Sequence, residues 1–255
     1  MQNDLVSVVM PAYNAEKYIA FAVDSVLNQT YGNTELIVVN DCSEDRTAEI
    51  ISGFMEKDSR VRLITLSGNK GVAEARNRGI TEARGKWIAF LDSDDAWDRE
   101  KLDKQLLLAE RKNADFLFTG SAFMDERGAP LKSFLNVPEE TGYRELLKQN
   151  IISCSSVLIK RDLILNYPMD AGKNMHEDFA VWLQILKTGK KAYGVNEPLL
   201  IYRMYKTSKS GNKRKAAGMT FRVYRYLRLN IFQSVYYWLI YSFRSFRKYR
   251  KIRGA

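Results

Sequence analysis

Residues 86–98 read KWIAFLDSDDAWD, a run of side chains suited to a buried strand that stops in three carboxylates within four positions, Asp92, Asp94 and Asp95. The same pattern recurs upstream. LVSVVM (5–10) runs into PAYN (11–14), TELIVVND (34–41) into NDCSEDRT (40–47), and VRLITL (61–66) into SGNKG (67–71). A further apolar run, ADFLFTG, covers 114–120, and the intervening segments 15–29, 44–57, 72–84 and 98–112 carry apolar residues at helical spacing. Short β-branched and aromatic runs alternating with helices predict crossover units and a mostly parallel central sheet covered on both faces, an α/β fold. In such sheets ligands bind beyond the carboxyl ends of the strands, which is where the polar stretches fall.

With 255 residues, 45% of them hydrophobic, the chain can bury one large core, alone or with an appendage. Two cysteines without metal-ligand spacing, Cys42 and Cys154, and a single histidine, His176, argue against a disulfide scaffold or a zinc site and for a reducing cytoplasm. MQNDLVSVVMPAYN, at the start, lacks the basic and long apolar regions of a secretion signal. The net charge of +10 is unevenly spread. Residues 198–255 hold fifteen Lys and Arg and no acid, which leaves 25 basic against 30 acidic residues, a balance of −5, on 1–197.

No G-x-G-x-x-G follows the first strand and no G-x-x-x-x-G-K-[ST] occurs, which excludes a dinucleotide fingerprint and a P-loop. Asp92 and Asp94, at alternate positions of an extended turn, repel one another unless a cation lies between them. A hard divalent ion, Mg²⁺ or Mn²⁺, answers that and keeps positions open for phosphate oxygens. Asp95 and Asp98 have a plainer reading as caps of the following helix, and for Asp98 the cap is preferred. In NMHEDFAVWLQILKTGKK (174–191), Glu177 and Asp178 fall in the first turn of an amphipathic helix. There they either complement the helix dipole or supply a general base, for which His176 is a second candidate.

The stretches SVVMPAYNAEKYIAFAVDSVLNQTY, LIVVNDCSEDRTAEI, NKGVAEARNRGI and GKWIAFLDSDDAW, in that order, resemble the successive motifs of the family 2 glycosyltransferases, over about residues 5–210. The resemblance implies the nucleotide-sugar-binding GT-A fold and an inverting transfer of a sugar from a nucleoside diphosphate, with uracil the favoured base, to an acceptor hydroxyl. Carried over by position, Pro11, Ala12 and Tyr13 line the nucleoside pocket and Asp41 bonds the base. Lys70, Arg76 and Ser93 belong to the nucleotide-sugar site, Asp92 lies near the ribose and the metal, and Asp94 on the metal. Asp178 becomes the base and Glu177 its orienting or substrate-contacting neighbour. Plainer roles stand beside these: Asp41 as a cap of the helix from about residue 44, Arg76 as a solvated cation, Tyr13 as a loop aromatic closing the core.

In NEPLLIYRMYKTSKSG (196–211), Tyr202, Arg203 and Ser208 match a segment that in related enzymes closes over the diphosphate, but Tyr205 stands where a histidine is expected, which puts a third protein ligand to the metal in doubt. Arg203 is either a phosphate partner or part of a basic surface loop. Residues 213–255 mix basic and aromatic residues at helical spacing, with an apolar stretch too interrupted for the ~20 residues that span a bilayer. That composition suits an anionic membrane surface better than nucleic acid. The reading is a GT-A domain over 1–212 with a basic amphipathic tail over 213–255. It describes a peripheral enzyme of the cytoplasmic face that takes a UDP-sugar, with Mn²⁺ or Mg²⁺, to a lipid-linked saccharide in surface polysaccharide assembly. A sugar nucleotidyltransferase and an inactive membrane-recruitment protein are the competing readings.

Overall fold

The computed structural model describes residues 3–170, 174–205 and 213–253. Its strands are β1 (Val6–Ala12), β2 (Thr34–Asn40), β3 (Val61–Thr65), β4 (Trp87–Phe90), β5 (Ala96–Trp97), β6 (Phe116–Met124), β7 (Pro130–Leu135), β8 (Glu140–Thr141), β9 (Leu158–Lys160) and β10 (Ala192–Arg203). Helices α1 (Ile19–Leu27), α2 (Thr47–Met55), α3 (Val72–Glu82) and α4 (Lys101–Lys112) separate the early strands. They are followed by α5 (Tyr143–Lys148), α6 (Arg161–Ile164), α7 (Glu177–Lys187), α8 (Lys213–Tyr226) and α9 (Ile231–Arg253).

One sheet runs in the order β3-β2-β1-β4-β9-β6-β10-β5, with β7 on β6 and β8 on β10 off that path. Strands β3, β2, β1 and β4 pair parallel, as do β6 and β10, while β9 lies antiparallel between β4 and β6. The five expected strands and four expected helices all form. The expectation did not include β5, β7, β8, β9 and β10, which with β6 make the half of the sheet beyond β4.

Successive side chains of a strand point to opposite faces, and here both faces are dry. Val9, Ile37, Val39, Ile88 and Phe90 enter one core with α3, α5, α7 and α8; Val8, Met10, Leu36, Val38 and Ala89 enter the other with α1, α2 and α4. Gly79 lets α3 lie close on β1, since a Cβ there would stand 2.3 Å from a Val9 methyl. Helices α1 and α2 begin later than periodicity predicts because the loops after β1 and β2 cap one another. Ser43 Oγ accepts the Asn14 N–H, Thr47 Oγ1 the Ala15 N–H, and Asp45 the Glu16 N–H.

The tail is not an appendage. Val223, Tyr224, Leu227 and Leu229 belong to the same core as α7, Tyr224 donates from its hydroxyl to the Leu147 carbonyl at 2.6 Å, and Trp238 donates from its indole to the Ala217 carbonyl at 2.9 Å. Helix α8 and the inner face of α9 thus pack into the same core as the elements before residue 212. Aromatic side chains at helical spacing bury one face against whatever apolar surface is available, and α5, α7 and β7 supply it.

Candidate active site

The ends of β1, β2 and β4, the start of α7 and the end of β10 surround a cleft of about 540 Å³. Pro11, Ala12, Tyr13, Asp41, Arg76, Asp92, Ser93, Asp94, Glu177 and Asp178 all line it, with His176 beside them. Residues distant in sequence meet there because parallel strands present their carboxyl ends on one edge.

Arg76 organises the centre. It is 4% exposed on α3, and its guanidinium donates to Asp92 at 2.6 Å and to Glu177 at 3.1 Å. Burial alone would lower its pKa, but the Asp92, Glu177 and Asp178 carboxylates more than offset that, and its pKa lies above the ordinary arginine range. Its Nε–H has no hydrogen-bond partner among the described residues. The reading of Arg76 as a solvated helix cation is thereby overturned. Asp178, next to this pair, has its carboxyl pushed up by burial and then by the neighbouring Glu177 charge, partly offset by Arg76 and His176. A carboxylate so placed binds a proton more strongly than a free aspartate, as a general base must.

The DSDD turn is built from beneath. Ser155 Oγ accepts the Asp92 N–H at 3.1 Å and donates to Asp95 at 2.8 Å, while Asp95 also accepts the Arg203 N–H at 3.0 Å. Asp95 is thus a buried brace and not a helix cap, its carboxyl pushed well up by burial and by Asp94 and Asp92. Asp98 accepts the Glu100 N–H at 2.9 Å in the turn ahead of α4, whose N-cap position is Glu100 and has no side-chain cap. Under the turn, Trp97 donates to the Ser155 carbonyl and Gln105 to that of Ser156, with buried Lys101 held by Gln105 over the Trp97 ring, 4.0 Å from its centroid. Burial pushes that ammonium well below its ordinary pKa.

Asp94 faces the cleft and accepts a short hydrogen bond from the Tyr205 hydroxyl; burial and the Asp92 charge push its carboxyl up. Among the described residues no group of three or more His, Cys, Asp or Glu side chains could hold a metal. The donor set still fits a divalent ion, because Mg²⁺-type sites use one or two carboxylates and take their remaining oxygens from water and substrate phosphates. Asp92 and Asp94 offer that pair on a cleft wall where their charges repel, and Tyr205 stands beside them as a neutral donor.

Three expectations change. Asp41 accepts the Lys70 and Gly71 N–H groups, each at 2.7 Å, so it caps the turn into α3 and not the helix after β2, while still lining the cleft. Lys70 is exposed and lines a smaller pocket of about 130 Å³ behind Glu177, outside the main cleft. Arg203 does not face the cleft: its guanidinium donates to the Asp94, Asp125 and Glu126 carbonyls and lies over the Tyr18 ring, which leaves it a structural clamp. Ser208 lies outside the described residues. The sequence reading missed Ser155, Cys154, Met219 and Tyr241, which also line the cleft. The CSS stretch carried no periodic signal, and the last two were read as tail. Both cysteines are free; burial pushes the Cys154 thiol well up, which keeps it protonated.

The fold is that of the GT-A transferases. S. aureus TarS 1–349 in complex with UDP-GlcNAc superposes with a TM-score of 0.71 at 21% identity, over 86% of this chain and 64% of that one. The mannosyltransferase PcManGT from Pyrobaculum calidifontis, in complex with GDP-Man and Mn²⁺, gives 0.69 at 18% identity over 88% and 64%. The family model described as Glycosyl transferase family 2 matches residues 7–164, and the chain belongs to that family. It is 40% identical over 245 residues to TuaG, a candidate teichuronic acid biosynthesis glycosyltransferase of Bacillus subtilis (strain 168), covering 96% of this chain and 97% of that protein. It is 35% identical over 253 residues to the Escherichia coli UDP-Glc:alpha-D-GlcNAc-diphosphoundecaprenol beta-1,3-glucosyltransferase WfgD, covering 98% and 96%.

Proposed function

We propose that the cleft carries an inverting transfer of a hexose or N-acetylhexosamine from a UDP-sugar to a hydroxyl of a lipid-linked saccharide, in assembly of a surface polysaccharide. The observation that carries this is the convergence, in one cleft, of the strand-end turn 92–95, buried Arg76 and the Glu177–Asp178 pair. The relatives support the donor and acceptor classes, since WfgD is named for a UDP-glucose donor and a diphosphoundecaprenol-linked acceptor.

Each residue then has a task. Pro11, Ala12 and Tyr13 form the wall against which the nucleoside lies, and Asp41, its orientation fixed by two backbone N–H groups, keeps lone pairs for a base N–H. Arg76 holds Asp92 and Glu177 at fixed positions on either side of the cleft floor. Asp178 removes the acceptor hydroxyl's proton as its oxygen attacks the anomeric carbon opposite the departing diphosphate, a single displacement that inverts that centre. Asp94 and Asp92 would hold Mn²⁺ or Mg²⁺, which when bound supplies positive charge to the leaving diphosphate. Lys70 and Ser208 remain candidates for the nucleotide, Lys70 from the rim.

The test is transfer from a panel of UDP-sugars to a synthetic lipid-diphosphate saccharide, with and without Mn²⁺, in the parent and in Asp94→Asn. Transfer with one donor, lost in the variant together with calorimetric Mn²⁺ binding, is expected. Turnover of a sugar 1-phosphate and nucleoside triphosphate instead would establish a nucleotidyltransferase.

A further inference from the structure

We propose that the outer face of α9 is a docking surface for anionic lipid, which sets the mouth of the cleft against the membrane. Helix α9 has two apolar faces. Ser234, Tyr237, Trp238 and Tyr241 turn toward the body, with Ser234 fully buried and the three aromatic residues packed against the core. On the other side Phe232 is 84% exposed, Phe243 63%, and Ile231, Val235, Tyr236, Leu239 and Phe246 are also exposed. At 3.6 residues per turn those seven side chains fall within an arc of about 140°, roughly opposite the buried face. An exposed apolar stripe of this length on one helix is a surface waiting for a partner.

The charge around it selects the partner. Arg244 and Arg247 are exposed on the same helix, Arg247 lies over the Phe243 ring at 5.8 Å, and the sequence from 244 to 253 holds six Lys and Arg with no acid after Glu197. A second copy of this face would meet like charge, whereas an anionic bilayer offers hydrocarbon to the stripe and phosphate to the arginines. No helix among the described residues is long and apolar enough to cross a membrane, so the geometry is that of a helix lying in the interface. Position gives the surface its meaning. Tyr241 on the inner face lines the cleft, and β7, which packs against α9, contributes Leu135 to the cleft and exposes Phe134. The docked helix thus borders the acceptor's entry. That consequence rests on the lipid-linked acceptor proposed above; the lipid surface itself does not.

The full chain is sedimented with vesicles of phosphatidylcholine alone and of phosphatidylcholine mixed with phosphatidylglycerol, across a salt series. Binding to the mixed vesicles that weakens as salt rises is expected. The combined variant Phe232→Ser, Leu239→Ser, Phe243→Ser should reduce vesicle partitioning about tenfold or more with an unchanged thermal unfolding midpoint, because none of the three is buried. Arg244→Glu with Arg247→Glu should do the same for the mixed vesicles only. Parent protein that ignores mixed vesicles, or a serine variant that binds them like the parent, overturns the proposal. So does light scattering that shows a dimer which the serine variant dissolves, since the face would then join two copies. If vesicle binding behaves as expected but the parent transfers sugar to no acceptor, the lipid surface stands and the functional reading fails. If both stand, the serine variant should lose transfer to acceptor in vesicles while keeping transfer to a water-soluble one.

Discussion

The cleft and the last helix are both dense in charge, yet they balance it differently. In the cleft most of the carboxylates have a hydrogen-bond partner within the protein: Asp92 and Glu177 in Arg76, Asp94 in Tyr205, Asp95 in Ser155 and the Arg203 N–H, Asp41 in two backbone N–H groups. Such a site is preorganised, and a substrate's charges enter a field already fixed in direction. Along α9 the cations have no acid of their own segment to answer to. Charge in the cleft meets charge within the fold, whereas Arg222 and Arg225 of α8 meet backbone carbonyls and Arg247 of α9 an aromatic ring.

The sharpest way to break that comparison is Asp178→Asn. Donor affinity should persist and kcat fall by about 10²–10⁴, the range a general base contributes, in single-turnover transfer assays. Equal loss in His176→Ala with none in Asp178→Asn would move the role to the histidine. The pH profile adds a signature. Because the Asp178 pKa is raised, its proton leaves later than from a free aspartate, so transfer should fall on acidification at a pH above the usual carboxylate range near 4.

Next in size is Arg76→Ala, which removes the buried partner of half-buried Asp92 and Glu177. Chemical denaturation should show a loss of about 1.5–3 kcal/mol, the range of a hydrogen bond to a charged group, with Arg76→Lys recovering part of it. Tyr224→Phe tests whether the tail is truly core. Removing its bond to the buried Leu147 carbonyl should cost about 1 kcal/mol in the same assay, and no change would return α8 to the status of an appendage. Phe232→Ser, at the second residue of α9 on the outer face, should leave stability within about 0.5 kcal/mol, as exposed positions do. A larger loss would mean that the outer face is packed.

The strand-end half of the cleft was legible because it obeys local rules. Asp92, Asp94, Asp41 and Pro11 each follow an apolar run, and a parallel sheet places all such residues on one edge regardless of the details. Glu177 and Asp178 were legible from their place at the start of an amphipathic helix. Arg203 and Lys70 were not. The resemblance put Lys70 along the nucleotide, yet its side chain is exposed on a neighbouring pocket, and Arg203, a candidate phosphate partner, finds three backbone carbonyls and an aromatic ring within reach, since a buried guanidinium turns to the acceptors that satisfy most of its donors.

The sequence by itself determined the alternation of strand and helix, the carboxylate-rich edge and the excess of cations after Glu197, since each depends on residues close together along the chain. Only the tertiary structure decided that Ser155 braces the metal-candidate turn, that Arg76 bonds Asp92 and also Glu177, which lies 101 positions further along the sequence than Arg76, and that α9 has one face in the core and one in solvent. Those outcomes depend on which side chains meet across the sheet and on how much apolar surface the body leaves for the tail to cover. Composition lists the groups that need partners, and packing assigns the partners.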